Sequence, residues 1–337
     1  MPDQILALTK QVSHLATSRV DEIRRITRMT KILSVNASIE AARAGASGSG
    51  FAVVAESVGQ VSTDIETIAE RLHVDLGEKI EELNALGLTL ISEIKGSRLA
   101  DLALNMIDII DRNLYERSCD VRWWATDSAV VAAAGGGEAE TRHACQRLGV
   151  ILDSYTVYLD LWIADRHGKV VAHGRPKRYS GVLGTDVSQE TWFRNAMATR
   201  DGTEFVACDI ARAPELGGMK VATYSTAIRA GGETKGAPVG ALGIFFDWQT
   251  QSQDVVDKVR LTEAEKKNTK CLILDSQHRV IANSVRGDAM ESYALETKGQ
   301  AMGSYADRSG RLVGFSLTPG YETYKGLGWY GVLLQTP

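Results

Sequence analysis

A chain of 337 residues is long enough for two or three modules, each with a core of its own. Its 44% hydrophobic and 24% charged residues are those of an ordinary globular protein, and a net charge of −4 speaks against a nucleic-acid binder, which would show a basic face. Four widely spaced cysteines (Cys119, Cys145, Cys208, Cys271) form no CxxC pair and no metal-ligand spacing, so they read as idle or buried thiols of a reducing compartment.

The start, Met1-Pro-Asp-Gln, has no basic flank leading into an apolar stretch, and no run approaches the roughly 20 apolar residues a membrane crossing needs. The chain is therefore expected to be cytoplasmic, with no membrane segment. From there to about residue 75, apolar positions step alternately by three and four, the period of a coiled-coil seam. One arm sets Ile5, Leu8, Val12, Leu15, Ile26, Met29, Leu33 and Asn36 on that seam, interrupted by Arg19 and Glu22. The other sets Val54, Val58, Val61, Ile65, Ile68 and Leu72 there. Between them lie Gly45, Gly48 and Gly50, and a residue without Cβ takes the positive φ of a tight reversal. The pattern predicts an antiparallel helical hairpin over 1–75 with its tip near 36–55. Exposed seam neighbours predict a homodimer, since such a hairpin is commonly half of a four-helix bundle.

The wording of that tip, Asn36-Ala-Ser-Ile-Glu-Ala-Ala-Arg-Ala-Gly-Ala-Ser-Gly-Ser-Gly-Phe51-Ala-Val-Val-Ala55, resembles the cytoplasmic tip of bacterial chemoreceptors, the methyl-accepting chemotaxis proteins. The resemblance implies partners: a histidine kinase and its coupling protein. Carried over by position, the contact surface comprises Ile32, Val35, Asn36, Glu40, Arg43 and Val53. Three positions depart from the family pattern. Its glutamate after Ala-Gly is Ala46, its arginine between the glycines is Ser49, and the aromatic residue that packs receptor dimers into trimers is Arg28. Loss of a paired partner-facing charge weakens a complex by about 1–3 kcal/mol, which bears on kinase control. The arms are too short for the long methylated region of ordinary receptors, and Glu81-Glu82 reads as a solvated helix face.

Beyond the hairpin, residues 76–337 read as an α+β sensor. A long helix is expected over 76–124, ending in Arg122-Trp123-Trp124. The segments Leu161-Trp-Ile-Ala-Asp165-Arg-His-Gly-Lys-Val170-Val-Ala-His-Gly174 and Cys271-Leu-Ile-Leu-Asp275-Ser-Gln-His-Arg-Val280-Ile-Ala-Asn-Ser284 repeat each other as strand, polar turn and strand. A second echo pairs Gly232-Glu-Thr-Lys-Gly236 with Tyr321-Glu-Thr-Tyr-Lys-Gly326, each just before a strand. Two tandem antiparallel-sheet modules follow, at about 125–250 and 255–337. With the loop Gly184-Thr-Asp-Val-Ser-Gln-Glu-Thr-Trp192-Phe-Arg-Asn-Ala196, these features resemble the double Cache (PAS-like) sensor of bacterial receptors. That resemblance implies ligand binding in the first module and transmission by the second.

In amino-acid-binding members of that family, an arginine two residues before a Trp-aromatic pair grips the ligand carboxylate, and an aspartate receives the ammonium. Here the pair is Trp192-Phe193, the arginine position holds Glu190, and Asp209 and Asp247 stand where the acidic partners would be. A ligand of donor or cationic character, an amine or a nitrogen heterocycle, is expected. Tyr158, Tyr224, Arg122 and Trp124 complete the candidate lining. Each has a plainer alternative: Trp192 fits a core as well as a pocket, Asp247 can cap a strand end, Glu190 can face solvent, and Arg122-Trp123-Trp124 can be core with one snorkelling charge.

No nucleophile elbow, phosphate loop or metalloprotease motif occurs, and the six histidines show no ligand spacing. No catalytic residue, metal or cofactor is expected. The favoured function is a chemoreceptor-like transducer. The rivals are a small-molecule-binding or adaptor protein with a degenerate tip and no kinase output, and an enzyme on a PAS-like scaffold.

Overall fold

The computed structural model describes the backbone of residues 2–288 and 290–337, and side chains from residue 7 onward except that of 289. The chain divides into two compact units, residues 1–95 and 96–337. From the sequence that boundary falls at 75/76. Helix α1 (Pro2–Arg43) and helix α2 (Ser49–Trp124) meet at a short 3₁₀ turn, Gly45–Gly48. Gly45 takes φ +57 at the reversal. Helix α2 runs uninterrupted, so the second arm and the long helix expected at 76–124 are one element.

Within the first unit the arms do not pack on the seam expected from the sequence. Leu8, Val12, Leu15, Ile26, Met29, Leu33, Val54, Val61, Ile65, Ile68 and Leu72 are exposed, Leu33 to 66%. Ile5 lies outside the described side chains. The buried line is made mostly of small residues instead: Val20, Thr27, Ser34, Ala41, Gly48, Ala55, Ser62 and Ala69, each seven from the last, with Ser34 only 5% exposed. The physical reason is distance. Small side chains let two backbones approach, and their hydroxyls stay satisfied inside their own helix: Thr27 Oγ1 donates to the Ile23 carbonyl at 2.9 Å and Ser62 Oγ to the Val58 carbonyl at 2.9 Å. Antiparallel register is marked by ion pairs between the arms, Arg24 with Glu70 and Lys31 with Glu66 at 3.5 Å. The exposed large apolar residues named above are left as an outward stripe.

The second unit holds the C-terminal end of α2 and two antiparallel sheets. After α3 (Ser128–Ala134) and α4 (Glu138–Ser154) come β1 (Tyr158–Asp165), β2 (Val170–His173), α5 (Thr191–Met197), β3 (Val206–Ala207), β4 (Ala211–Ala213), β5 (Met219–Arg229) and β6 (Pro238–Asp247). Then α6 (Trp248–Asp257) and α7 (Glu263–Lys266) lead to β7 (Thr269–Leu274), β8 (Val280–Asn283), β9 (Met302–Ala306), β10 (Leu312–Leu317) and β11 (Tyr330–Gln335). The first sheet runs β2-β1-β6-β5-β3, with β4 also on β5, and the second runs β8-β7-β11-β10-β9. The two orders correspond strand for strand. The sequence repeat is the hairpins β1-β2 and β7-β8, and both carry a bulge at matching places, Ile163/Ala164 and Ile273/Leu274. Each turn closes on a carboxylate: Asp165 accepts from the His167 and Lys169 amides, and Asp275 from those of Gln277 and Arg279.

Alternation sorts the first sheet into two faces. Leu161, Ile163, Ala222 and Tyr224 join the core under α2, α3 and α4, while Leu159, Trp162, Val221 and Phe245 form a second core beneath α5. The second sheet lies directly on α2, because Gly314 and Gly331 face it. A Cβ on Gly331 would stand 2.4 Å from the Ala103 carbonyl oxygen, and one on Gly314 2.4 Å from Leu99 Cβ. Between β10 and β11, residues 318–329 reach further along the helix. The Thr318 hydroxyl donates to the buried Asp111 carboxylate, and the Gly320 amide donates to it at 2.8 Å. Burial pushes the Asp111 carboxyl above its ordinary range, against the pull of these hydrogen bonds.

Candidate functional site

A cavity of about 590 Å³ opens on the α5 side of the first sheet. That size suits a small molecule. Its floor is Trp162 of β1, Val221 and Thr223 of β5, and Phe245 of β6. One wall is the start of α5, from Glu190 to Asn195, and the other is the strip from Val206 to Glu215. The floor is well held: Trp162 packs tilted against Phe245 at 4.2 Å between ring centroids, and its indole N–H donates to the Asp160 carboxylate at 3.1 Å. Asp160, fully buried, also accepts from the Leu161 amide at 2.8 Å and the Gly174 amide at 2.9 Å, and lies 2.7 Å from His173 Nδ1. Fully paired buried carboxylates of this kind hold a fixed geometry.

The rim is acidic. Asp186, Glu190, Asp209 and Glu215 line the cavity against one guanidinium, Arg212, which is drawn aside to the Gly218 carbonyl at 3.0 Å. The Ser188 amide holds the Asp186 carboxyl below its ordinary range. Burial pushes the Cys208 thiol up to about 11, and the Asp209 and Glu190 carboxylates add to the effect. Both carboxylates therefore act on one point of the cavity. The chemistry offered is a set of acceptors and negative charge above an aromatic floor, suited to a ligand that donates hydrogen bonds or carries positive charge. Among the described residues no group of three or more metal-ligating side chains stands together.

Of the nine residues the sequence nominates, the structure brings Glu190, Trp192 and Asp209 to this cavity. Phe193 is buried in the core beside it. Asp247 caps α6, accepting from the Thr250 amide at 3.2 Å. Tyr158 lies on the opposite face of the sheet, its hydroxyl donating to Asp120 at 2.5 Å. Tyr224 is on that face too, its hydroxyl 3.1 Å from that of Tyr324. Trp124 packs edge-on to Tyr155 and Tyr158. Arg122 donates to the Ser118 carbonyl at 2.8 Å and lies 5.4 Å from the Phe205 ring centroid. Residues the sequence did not nominate include Trp162, Phe245, Arg212 and the supporting Asp160. A charged residue inside an otherwise apolar strand was the available signal for the last.

At the hairpin, all six nominated partner residues (Ile32, Val35, Asn36, Glu40, Arg43 and Val53) are exposed. Glu40 and Arg43 pair at 3.4 Å, each about three-quarters exposed, so both charges remain open to a partner. Arg28 and Ala46 are exposed as well. Ser49 Oγ donates to the Ala46 carbonyl at 3.2 Å, tying the turn where the chemoreceptor pattern has a charge.

Residues 3–90 match the methyl-accepting chemotaxis protein (MCP) signalling domain. A probable methyl-accepting chemotaxis protein of Bacillus thuringiensis subsp. konkukian is 34% identical over 92 residues, 25% of this chain and 14% of that protein. The putative methyl-accepting chemotaxis protein AlkN of Alcanivorax borkumensis is 32% identical over 130 residues, 34% of this chain and 19% of that protein. The biofilm dispersion protein BdlA of Pseudomonas aeruginosa is 54% identical over 52 residues, 15% of this chain and 12% of that protein. The chain thus spans under a fifth of the length of these relatives. Among no described helix is there a stretch long and apolar enough to cross a membrane. In fold, the sensory domain of the Campylobacter jejuni chemoreceptor Tlp3 matches with a TM-score of 0.53 at 16% identity, covering 74% of this chain and 95% of that one. The ligand-binding domain of the Pseudomonas aeruginosa chemoreceptor PctC, solved with GABA, matches with a TM-score of 0.51 at 11% identity, covering 72% and 100%. An MCP-type signalling segment at residues 3–90 thus shares one chain with the fold of chemoreceptor sensory domains.

Proposed function

We propose that this chain is a chemoreceptor-like signal transducer: a small molecule binds in the cavity of the first sheet, and the hairpin tip docks on a histidine kinase and its coupling protein. The observation that carries the proposal is the pairing of an acid-rimmed cavity of about 590 Å³ with a tip whose nominated residues all face solvent. The ligand class is an amine or a nitrogen heterocycle. Where amino-acid sensors place an arginine for the carboxylate, this chain has Glu190 on the cavity wall. An α-carboxylate there would face like charge, and a cation would be drawn in. The chain acts as a homodimer in the cytoplasm, its exposed apolar stripe covered by the stripe of a second copy. It catalyses no reaction. A ligand biases the tip only through its differential affinity for two packings of the helices, a coupling of about 1–3 kcal/mol in ordinary cases.

Two measurements test this. Titration calorimetry with 1,4-diaminobutane, histamine, adenine and GABA should give heat with one of the first three, and Asp209→Asn should weaken that binding about tenfold. Equal affinity in the variant removes the cavity assignment. Capture of the kinase by the wild-type chain, lost in Glu40→Arg, supports the tip assignment. No capture by either favours the second reading, a ligand-binding protein without kinase output, for which Ala46, Ser49 and Arg28 are the specific observations.

A further inference from the structure

Asp209 has a second partner. While it lines the cavity of the first module, its Oδ1 accepts a hydrogen bond from the indole N–H of Trp329, at 3.0 Å. Trp329 belongs to the second module, where it ends the 318–329 segment between β10 and β11. It is buried and packed against Trp248 at 4.9 Å between centroids. Its carbonyl accepts from the Thr318 amide at 2.8 Å, which closes the segment into a strap. Thr318 in turn grips Asp111 of α2 through its hydroxyl, beside the Gly320 amide. Tyr324, in the middle of the strap, holds Tyr224 of the first sheet, and Tyr321 packs edge-on to Tyr115 of α2 at 5.3 Å. One short segment thus touches a cavity carboxylate at one end and a helix carboxylate at the other.

We propose that the strap 318–329 carries occupancy of the cavity to helix α2, with Trp329 reading Asp209 and Thr318 holding Asp111. The inference rests on the cavity being the ligand site. Asp209 is the one cavity carboxylate in the described structure bonded to the second module, so a cation that draws it toward the cavity lengthens or redirects the Trp329 bond. The rest of the strap is held by hydrogen bonds with fixed donors, which transmit a shift rather than absorb it. The raised proton affinity of Asp111 fits a grip made in a dry contact, where gain or loss of the Thr318 hydroxyl matters more than it would in water. Trp329 is a positioning residue here, acting through Asp209.

Hydrogen exchange on the whole chain, with 1,4-diaminobutane as probe and histamine and adenine in parallel, tests the relay. In the wild type, probe should change exchange of amides 108–114 and 318–320 by about threefold or more, along with the cavity strip 206–213. Trp329→Phe removes the N–H donor and leaves the cavity carboxylate. It should bind the probe within about threefold of wild type, with the response confined to the strip. Asp209→Asn keeps an acceptor for Trp329 and should do the opposite, losing probe while exchange of 108–114 stays at the unliganded wild-type level. If Trp329→Phe fails to fold, Thr318→Val cuts the other end and should block the response at 108–114 alike. A response at 108–114 that survives intact in Trp329→Phe or Thr318→Val overturns the relay and leaves the cavity assignment standing. Undiminished probe binding by Asp209→Asn, or a wild type that takes up none of the three probes, overturns the cavity assignment and the relay with it.

Discussion

Ser34 and Gly59 face each other across the hairpin so closely that a Cβ on Gly59 would stand 3.0 Å from Ser34 Oγ. The arms therefore meet mostly through small residues, and most of the bulky apolar ones point away. Ser34→Leu or Gly59→Leu should force the arms apart and destabilise the hairpin by about 1–3 kcal/mol, seen as loss of helical signal at lower temperature. Leu33→Ser, one residue along and exposed, should leave the hairpin within about 0.5 kcal/mol of wild type. The same variant should weaken self-association in sedimentation, because it removes part of the outward stripe. A Leu33→Ser chain that melts early while Ser34→Leu does not would reverse this assignment of faces.

Two glycines of the tip should behave in opposite ways. A Cβ on Gly48 would meet the Ala41 carbonyl oxygen at 2.2 Å, whereas one on Gly50 meets nothing within 4 Å. Gly48→Ala is expected to destabilise the turn by about 1–3 kcal/mol. Gly50→Ala, in the first turn of α2, should stabilise by up to about 1 kcal/mol through helix propensity. Paired thermal melts of the two variants decide it, and equal shifts would contradict the packing described.

The contact between α7 and the part of α2 that opens the second unit should respond to acid. Arg98 donates to Glu265 at 2.8 Å and 3.0 Å, and this hydrogen bonding holds the Glu265 carboxyl down at about 2, from an ordinary 4.5. A depressed folded-state value contributes stability above the unfolded value and loses it on acidification. The contribution is thus complete above about pH 4.5 and fades as pH falls toward 2. With Arg98 nearly half exposed, screening leaves about 1 kcal/mol. Glu265→Gln should cut this out, so its stability deficit against wild type is full above about pH 4.5 and shrinks as pH falls toward 2. A constant difference from pH 7 down to pH 2 would refute it.

Cys208 should be a poor nucleophile despite lining the cavity. With its thiol pushed up to about 11, it carries almost no thiolate at pH 8. Alkylation by iodoacetamide at that pH, followed on the Cys208 peptide by mass spectrometry, should run at least about tenfold slower than for free cysteine. Neutralising its neighbours in Glu190→Gln should speed it modestly. Rapid labelling of the unmodified chain would mean that the carboxylates do not act on this thiol as described.

The hairpin and the duplicated β-hairpins were legible because each is a local pattern: glycines at a reversal, and a polar turn opening on Asp165 or Asp275 between apolar strands. Which face of the arms turns inward was not. Periodicity marks an apolar stripe without saying what covers it, and the seven-residue line of Thr27, Ser34 and Ala41 is quiet beside Met29 and Leu33. The site divided in the same way. Thr223 and Tyr224 are adjacent on β5, yet one lines the cavity and the other lies under α2, so a single step of strand phase decides. At Tyr158 the bulge between Tyr158 and Asp160 intervenes as well. Asp247 was nominated as a pocket acid, but the helix starting at Trp248 takes its carboxylate as a cap.

The step of seven within each arm, Thr27, Ser34 and Ala41 on α1 and Ala55, Ser62 and Ala69 on α2, has a consequence for how such a hairpin can change length. Adding or removing seven residues in either arm keeps every small side chain on the inward side. Removing one or two within an arm swings the small residues beyond the change around that helix by roughly 100–200° and sets bulk where the backbones need room. Growth and shrinkage of the arms are therefore quantised, and homologous hairpins of other lengths should differ in whole heptads.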